Sequence, residues 1–579
     1  MRTLNLMFTL LCLSIGQTEA AVENLGEEMT NYDVNDIIKL RCCPADDCYP
    51  SQAEVASLNN KLKGRVIVPH FEEYVNQSHM YNTFEQRYPR LVVMVHSKED
   101  IRDTVLFARK YNLHVTMRSS GHDFVGRSTW DGSININLSE MKDYEINLLS
   151  SRSEHGEVKV QTGLTWAEIY EKLDKEYNRT IVGGSAHTVT PGGYTIGGGH
   201  SPISRSLGYA VDNVLEVQVV LADGRIATCI ESRCEIEDLD GKVDSDDGDL
   251  FWALRGGGGG TFGVVVYFVF KLHAMPTAMV RADTWLPLKV DTYGLDYSER
   301  ILSALGNLIT TMPREWGGYY LIGNEKNYFE GIEMTGRLQL AMNKFAPWDG
   351  SENKIFEEFI GIAKELQTNV TFTNLSSFWD YEKDASDPPI TRSYIVNTLL
   401  QPEKVNGELV KLFQEELFTN MAGIYFGCTG ASVGGRTTDF SIESTPLHPG
   451  YRTAVTSLTC GVALADPQSQ SWFDQSKYDE LLIPKADAFS KRLQRFGNGM
   501  YLNEPTKNNP NWREDFWGDH YTRLLQIKKR YDPENFFTCH HCVGSEIGGK
   551  STTPWSSSAS ISRVDIFMAT ILFALKYFM

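Results

Sequence analysis

Positive charge is scarce in this chain. Its 579 residues carry 55 Lys and Arg against 74 Asp and Glu, and the formal net charge at pH 7 is −19. Binding of DNA or RNA requires clustered basic side chains that neutralise phosphates, so this composition argues against a nucleic-acid partner. The acidic balance identifies no substrate, because negative net charge commonly serves solubility.

The chain also lacks the sequence signature of a dinucleotide-binding Rossmann fold. No Gly-x-Gly-x-x-Gly motif opens a helix after the first predicted strand, at residues 91–95. Helices are predicted from Ser97 to about Lys110, from Trp166 to Lys175 after the cap residue Thr165, and from Trp512 to Arg530. Residues 215–221 and 225–230 form a predicted hairpin. This mixture predicts an α+β fold, and the length predicts two domains or more.

Cysteine is infrequent, with ten residues in all. Residues 1–20 combine Arg2, an apolar run and the small residue Ala20, which is typical of a signal peptide; a buried helix is the alternative. Nine cysteines then remain in an oxidising compartment, where most should pair and one is left over. The run at 539–542 is Cys-His-His-Cys, but four adjacent ligands cannot all reach one tetrahedral metal, so no metal is expected.

Two further patterns fit the secretory pathway. Asn-x-Ser/Thr motifs begin at Asn76, Asn178, Asn369 and Asn374, whereas a fifth, at Asn137, lies in a predicted strand. Residues 546–579 form a Ser/Thr/Gly-rich linker and a hydrophobic tail, which is shorter than the roughly 20 residues of a membrane span. This end resembles a GPI-attachment signal, with a tail anchor or an uncleaved secreted end as alternatives. The predicted location is outside the cell or on the outer face of the plasma membrane.

Glycine is concentrated where predicted strands and helices end. Residues 118–124 (RSSGHDF) follow a short predicted strand, and their small side chains allow a tight turn whose N–H groups can face a phosphate. Further glycines lie within 183–199, and five in a row follow Arg255. Because each cluster adjoins a strand or a helix, close approach of the backbone to a ligand is a better interpretation than a flexible linker.

These segments, in this order, resemble the berberine-bridge-type flavoprotein oxidases of the vanillyl-alcohol-oxidase-like superfamily. The motifs that carry the resemblance are residues 118–124, 183–200, 207–214, 254–260, 501–504 and 532–537. The resemblance covers about residues 85–545. It implies an FAD cofactor, a PCMH-type FAD-binding domain of two subdomains, and a substrate domain in which helices cover an antiparallel sheet.

Glycine density falls near Pro276, which predicts a second domain, the substrate domain, over 276–495. Before it lie a Cys-containing N-terminal extension over 21–84 and the FAD-binding domain over 85–275. The resemblance implies that residues 496–545 then return to the first domain and complete the FAD site.

His122 resembles the histidine that bonds the 8α-methyl group of the flavin in this family. Many members add a second bond from a cysteine, at the position where this chain has Ala186. The resemblance therefore implies FAD held by one covalent link, through His122. The other residues assigned to the cofactor, by resemblance or by the glycine pattern, are Arg118, Ser119, Ser120, Gly121, Asp123, Val189, Thr190, Gly192, Gly193, Gly197, Gly198, Gly199, His200, Asp212, Asn213, Val214, Gly263, Val264, Asn503 and Asn535.

Three positions bear on the reaction. Val189 stands where the family controls access of O2, and its small side chain favours an oxidase; the alternative is a residue that only packs in a strand. A flavin accepts a hydride, so a base must take the substrate's proton. Tyr501 resembles the family's tyrosine base, and Asp439 matches an acidic residue that could assist it or act alone; a surface carboxylate is the alternative for Asp439.

Two residues depart from the family pattern. Glu504 replaces a second tyrosine, and Phe124 stands where alkaloid-converting members have tyrosine, which puts alkaloid chemistry in doubt. The resemblance implies an oxidase of an alcohol or a sugar hemiacetal that uses O2 and releases H2O2. A dehydrogenase with another electron acceptor and a flavin-carrying binding protein without turnover are the alternatives.

Overall fold

A computed structural model describes residues 41–546, except 43, 45, 70–71, 330–331, 386–391, 423 and 465–471. The predicted signal peptide, Cys43 and the C-terminal linker and tail lie outside the described residues. Within the described part, none of the helices combines the length and the apolar composition that crossing a membrane requires.

The first sheet is small and ends at the glycine turn. Its strands are β1 Arg65–Ile67, β2 Leu91–Met94, β3 Val115–Arg118 and β4 Ile134–Asn137, flanked by helices α1 Gln52–Lys61, α2 Glu72–Ser78 and α3 Lys98–Lys110. The spatial order is β1-β2-β4-β3, in which β4 runs parallel to both β2 and β3. The antiparallel edge strand β1 comes from the N-terminal extension, where no element was predicted.

Helix α3 begins where its cap residue predicts. The hydroxyl of Ser97 accepts a hydrogen bond from the N–H of Asp100. The Asp100 carboxylate does not return to the cap, and accepts instead from the N–H groups of Lys63, Gly64 and His96. Asp100, in the first turn of α3, therefore also holds the residues that precede β1.

The second sheet separates two hydrophobic cores. Its strands and those of a two-stranded sheet are β5 Tyr144–Asn147, β6 Glu157–Gln161, β7 Arg179–Thr180, β8 Val214–Val220, β9 Ile226–Ile230, β10 Arg233–Glu237, β11 Val243–Asp246, β12 Val264–Lys271 and β13 His273–Ala274. The main sheet is antiparallel in the order β11-β10-β9-β8-β12-β6-β5, and β7 pairs with β13. Along β12, Val265 and Phe268 enter one core, whereas Val264 and Val269 enter the other. The hairpin of β8 and β9 was predicted.

Short helices connect this sheet to the glycine segments. They are α4 Trp166–Tyr177, α5 Pro191–Ile196, α6 Ser204–Leu207 and α7 Asp249–Ala253. Thr165 caps α4 with its hydroxyl, and the side chain of Glu168 returns to the Thr165 N–H. The turn at 186–189 is attached to the start of α4, because the N–H of Trp166 donates to the carbonyl of Val189 over 3.0 Å.

The third sheet forms the second half of the protein. Its strands are β14 Met279–Val290, β15 Leu295–Asp296, β16 Trp316–Phe329, β17 Ile332–Lys344, β18 Val370–Leu375, β19 Ser393–Leu400, β20 Phe426–Ser432 and β21 Thr456–Ala463. All pairs are antiparallel in the order β15-β14-β17-β16-β20-β21-β19, with β18 also paired to β14. The helices in this half are α8 Ser298–Thr311, α9 Glu352–Ile355, α10 Glu357–Glu365, α11 Phe378–Glu382, α12 Gly407–Glu415 and α13 Trp472–Leu493.

Alternation along these strands gives the third sheet two different faces. Tyr320, Cys428 and Leu458 point into the core shared with the helices, whereas their neighbours Thr429 and Ser457 line a cavity. This antiparallel sheet with a helical cover, beside a first half of mixed helices and strands, confirms the predicted α+β fold class.

The C-terminal segment returns to the first half. Its helices are α14 Trp512–Trp517 and α15 Tyr521–Tyr531, so the single helix predicted over 512–530 is wrong. Gly518 has a φ of +54°, which ends α14 and starts the turn Gly518–His520. The indole N–H of Trp517 donates to the carbonyl of Gly256, and Lys528 Nζ donates to the carbonyl of Thr261.

Eight of the nine cysteines that follow the predicted signal form disulfides. The pairs are Cys42–Cys48, Cys229–Cys234, Cys428–Cys460 and Cys539–Cys542. The remaining short helical turns among the described residues are Thr83–Glu85, Ala210–Asn213, Asp291–Tyr293, Pro402–Lys404, Glu416–Asn420, Gly435–Asp439, Ile442–Ser444, Pro449–Arg452 and Gln494–Phe496.

Candidate active site

A cavity of about 610 Å3 joins the glycine turns, the third sheet and the C-terminal segment. The predicted base Tyr501 lines it. The predicted cofactor residues that line it are Arg118, Ser119, Ser120, Gly121, His122, Asp123, Val189, Thr190, Gly192, Gly193, His200, Gly263 and Asn503. Segments that are far apart in the chain therefore meet around one space.

Some predicted cofactor glycines lie behind the cavity wall. A Cβ atom on Gly197 would lie 2.1 Å from Oδ1 of Asn503, and one on Gly199, whose φ is +74°, would lie 2.5 Å from the Tyr194 ring. Because neither glycine has a side chain, Asn503 and Tyr194, which do line the cavity, can pack closely against the backbone at these two positions. Gly198, with a φ of +123°, lies beside Leu447 instead. Val214 and Val264 are buried in β8 and β12.

Asp212 and Asn213 have protein partners. The Asp212 carboxylate accepts two hydrogen bonds from the Arg452 guanidinium, at 2.7 and 2.8 Å, and both side chains are almost fully buried. The Asn213 amide donates to the carbonyls of Leu207 and Tyr209. The structure therefore places both side chains in contacts that hold the 3₁₀ turn Ala210–Asn213 in position.

Two other predicted site residues lie away from the cavity. Asn535 has a φ of +49° and donates to the carbonyl of Gly544. Asp439 lies on the surface, where its carboxylate pairs with Arg314 over 3.2 Å. Neither residue is among those that line the cavity.

The turn after β3 requires glycine at one position. Gly121 has a φ of +85°, and a Cβ there would lie 2.7 Å from Nε of Arg118. The Arg118 guanidinium donates to the carbonyls of Gln77 and Ser120, and burial lowers its pKa to about 10. These contacts fold the arginine under the turn, so that the backbone of the turn faces the cavity.

Three buried nitrogen atoms at the cavity make no hydrogen bond within the protein. They are Nε of Arg118, Nδ1 of His200, and Nε of Arg127, which lies 3.4 Å from the Asp123 carboxylate. A buried polar group without a partner costs roughly 1–3 kcal/mol, so a ligand rich in acceptor atoms fits this wall. The backbone at Gly193 is also accessible from the cavity, because a Cβ atom there would meet no other atom within 4 Å. Both features suit the carbonyl and phosphate oxygens of FAD.

His122 lies at the cavity with its ring held from two sides. Its Nε2 is 2.8 Å from the Thr188 hydroxyl, and its ring stacks on Tyr81 with 3.6 Å between centroids. Ala186 and Val189, from the turn that also contains Thr188, line the same cavity. Val189 lies in this turn and not in a strand.

The C-terminal segment contributes three polar residues, Tyr501, Asn503 and Glu504, to a cluster that also contains His200. The Asn503 amide donates to the carbonyl of Tyr194 and, over 3.0 Å, to the Tyr501 hydroxyl. Burial raises the pKa of Tyr501 above its usual value, and the Glu504 carboxylate raises it further. The ring of Tyr501 lies 4.7 Å from that of His200.

Glu504 is the carboxylate of this cluster. Burial tends to raise its pKa, but a hydrogen bond and the nearby charge from His200, together with a hydrogen bond from Thr459, lower it overall. Its side chain keeps 26% of its surface exposed, and it lines the cavity. Glu504 is therefore ionised at neutral pH and accessible to a bound molecule.

Sequence reasoning noticed Glu504 only as a departure, assigned its partner His200 to the cofactor and missed its partner Thr459. Thr459 could have been found from the alternation of the strand that contains it. A second carboxyl group, on Glu382, is fully buried and accepts from the Ser185 hydroxyl over 2.8 Å. Burial raises the pKa of Glu382 to about 8. No sequence signal marked this residue, because its burial arises from the packing of α11 on the loop at 183–188.

Comparison with known proteins agrees with this geometry. The family model for an FAD binding domain matches residues 89–230, and the model described as berberine and berberine like matches 500–544. The VAO-type flavoprotein oxidase VAO615 of Thermothelomyces thermophilus is 31% identical over 476 residues, which is 79% of this chain and 77% of that protein.

Two solved structures show the same fold. The VAO-type flavoprotein MtVAO713 from Myceliophthora thermophila C1 superposes with a TM-score of 0.72 at 21% identity, covering 87% of this chain and 97% of that one. The Acremonium strictum glucooligosaccharide oxidase, whose structure revealed a novel flavinylation, gives 0.68 at 19% identity, covering 85% and 98%.

The fold and the cavity define an FAD-dependent oxidoreductase. The chain belongs to the FAD-linked oxidoreductases of the vanillyl-alcohol-oxidase and berberine-bridge type, because a relative above 30% identity covers most of both chains.

Proposed function

We propose that this protein oxidises a CH–OH group of an alcohol or a sugar hemiacetal, passes the electrons to O2 and releases H2O2. In this proposal FAD is held by one covalent bond, to His122, and the protein works in the secretory pathway or at the outer cell surface. The observation that carries the proposal is the single cavity that unites the His122 turn with Tyr501, His200 and Glu504.

The glycine turns and the unsatisfied donors would hold the cofactor. Backbone N–H groups at Gly192 and Gly193, together with Arg118 and Arg127, suit the oxygens of FAD. Bound FAD supplies a hydride acceptor. Ala186 offers no thiol for a second bond, which supports a single link.

The proton of the substrate hydroxyl has a defined destination. The Tyr501 phenol stays neutral because burial raises its pKa, so it is a poor base alone. Glu504 has a lowered pKa and presents a carboxylate to the same space. In our proposal Tyr501 orients the substrate hydroxyl, and Glu504 accepts the proton directly or through Tyr501. Asp439 pairs with Arg314 outside the cavity, so the geometry favours Glu504 over Asp439 as the carboxylate in this role.

The wall opposite the turns supports a hydroxyl-bearing substrate. Thr429, Ser457 and Thr459 line it from one face of the third sheet, and Ser185 lines it from the loop before Ala186. Hydroxyl groups can both donate to and accept from the hydroxyls of a polyol or a sugar. The fold shared with a glucooligosaccharide oxidase agrees with this substrate class.

Val189 supports O2 as acceptor, because its side chain lines the cavity and is small enough that it would leave room for O2 beside a flavin ring bound there.

Two features support a location in the secretory pathway. Asn76, Asn178, Asn369 and Asn374, which begin the glycosylation motifs, are all exposed, and eight cysteines form disulfides, which persist in oxidising compartments. Membrane attachment through the C-terminal tail is part of the same proposal.

Anaerobic titration of the purified flavoprotein tests the function. Alcohols and mono- and oligosaccharides are added without oxygen, and bleaching of the flavin absorbance identifies substrates. Admission of O2 should then restore the colour within seconds and yield one H2O2 per substrate. Bleaching that persists in air would assign the protein to the dehydrogenases, and absence of bleaching with every compound would favour a binding protein.

A further inference from the structure

The imidazole of His122 is held by a chain of two hydroxyl groups. Nε2 of His122 lies 2.8 Å from Oγ1 of Thr188, and the Thr188 hydroxyl donates to the Tyr81 hydroxyl over 3.0 Å. The Tyr81 ring stacks on His122 at 3.6 Å between centroids, 23° from parallel. One tyrosine thus contacts His122 through its ring and Thr188 through its hydroxyl.

Both hydroxyl residues are themselves fixed by the backbone. The N–H of Tyr81 donates to the carbonyl of Gly121 over 3.1 Å, which ties Tyr81 to the residue before His122. Thr188 lies in a turn whose carbonyls at His187 and Val189 accept from the first residues of α4. The geometry around the imidazole is therefore preorganised before any cofactor binds.

The hydroxyl chain favours one tautomer of the His122 imidazole. A threonine hydroxyl has one proton, and here that proton is donated to Tyr81. Its oxygen must then accept from Nε2, so Nε2 carries the hydrogen of the neutral imidazole. In that tautomer Nδ1 carries the lone pair, and only a nitrogen with a lone pair can form a new bond to carbon.

We propose that Thr188 and Tyr81 are positioning residues for covalent attachment of the flavin, which hold His122 in the Nε2–H tautomer so that Nδ1 forms the bond. This inference rests on the proposed function, because it assumes that His122 is the attachment site.

The attachment step balances with O2 as the oxidant. The 8α-methyl group of the flavin gives up one proton, and the lone pair of Nδ1 forms the N–C bond as two electrons enter the flavin ring. The imidazole then carries a positive charge, which it loses by releasing the Nε2 proton toward the Thr188 oxygen. O2 takes the two electrons and two protons and leaves as H2O2, so that a methyl C–H and an imidazole N–H are replaced by one C–N bond.

Thr188→Val tests the inference, with Thr188→Ser and Tyr81→Phe as matched variants. Valine has nearly the shape of threonine without the hydroxyl, serine restores the hydroxyl, and phenylalanine keeps the ring that stacks on His122. Each protein is purified at intervals after expression begins. Flavin that remains with acid-precipitated protein is measured against total flavin. The flavin–histidine adduct from digested wild type is analysed by NMR for the substituted nitrogen.

We expect Thr188→Val to slow covalent incorporation by about tenfold, which corresponds to loss of one hydrogen bond. Serine should restore the wild-type rate, Tyr81→Phe should fall between the two, and the wild-type adduct should be substituted at Nδ1. Equal incorporation in Thr188→Val and wild type, or substitution at Nε2, would overturn the inference while the covalent link stands. Absence of bound flavin from acid-precipitated wild type would instead remove the covalent link itself, and the inference with it.

Discussion

Oε1 of Glu504 lies 3.4 Å from Nε2 of His200, at the wall of the cavity that also contains Tyr501. Burial of a carboxylate normally raises its pKa, but His200 and the Thr459 hydroxyl more than compensate here. The same burial raises the pKa of Tyr501. At neutral pH the Tyr501 phenol is therefore neutral, whereas the neighbouring Glu504 carboxylate is charged. Proton transfer from a substrate hydroxyl requires such a charged acceptor.

Glu504→Gln should remove the proton acceptor. The pKa of Glu504 lies below its ordinary value, so the wild type should keep its rate at neutral pH and lose it as the pH falls through that lowered pKa. The variant should reduce its flavin about 10²–10⁴-fold more slowly and lose this acid limb. Stopped-flow reduction across pH checks both effects, with Asp439→Asn as control. An unchanged acid limb in Glu504→Gln would assign it to another group.

Tyr501→Phe should slow reduction of the flavin much more than it weakens substrate binding. The hydroxyl that it removes orients the substrate and accepts from Asn503, while the ring that packs on His200 remains. The limiting rate of reduction and the substrate Kd, both from stopped flow, separate the two effects. A change in Kd alone would limit Tyr501 to binding.

Val189→Leu should slow reoxidation of the reduced flavin by O2 and leave the reductive half-reaction nearly unchanged. The larger side chain would occupy space in the cavity where Val189 now lies. Val189→Ala is the matched control and should reoxidise at least as fast as wild type. If the leucine variant reacts with O2 at the wild-type rate, oxygen reaches the ring by another route.

Asp212→Asn should destabilise the fold. Breaking a buried ion pair leaves an uncompensated charge and costs about 3–5 kcal/mol, and Arg452 would be left in this state. Asp439→Asn breaks an exposed pair with Arg314 and should cost about 0–1 kcal/mol. Chemical denaturation of the two variants gives the comparison. Equal losses would mean that water or other groups compensate Arg452.

Peptide mapping of the wild type should find flavin on the peptide that contains His122 and on no cysteine peptide. Ala186 has no thiol, and eight cysteines are already paired. His122→Ala should release all flavin on acid precipitation. Flavin mass on a cysteine peptide would contradict the single link.

Local patterns in the sequence predicted local structure well. The caps at Ser97 and Thr165 lie where helices begin, and the hairpin of β8 and β9 follows from its alternation and its turn. The glycine turn with His122 was found because tight turns require particular residues. Each of these features depends on neighbours within a few positions in the chain.

Features that depend on distant partners could not be predicted in the same way. Asp212 was assigned to the cofactor, but its partner Arg452 lies 240 positions away. The lowered pKa of Glu504 depends on His200 and on Thr459 in β21. The break at Gly518 was missed because an isolated glycine is often tolerated within a helix. Tertiary packing decided the first two, and local backbone conformation decided the third.

The last part of the chain closes the cavity by contacts with its beginning. Arg127 donates to the carbonyl of Leu502, 375 positions later, and Lys507 pairs with the buried Glu85, 422 positions earlier. During synthesis, the FAD-binding half therefore leaves the ribosome long before its binding site exists. We therefore expect FAD to bind only after residues 501–507 have been made, because a chain that ends before residue 500 lacks Tyr501, Asn503 and Glu504 of the cavity wall.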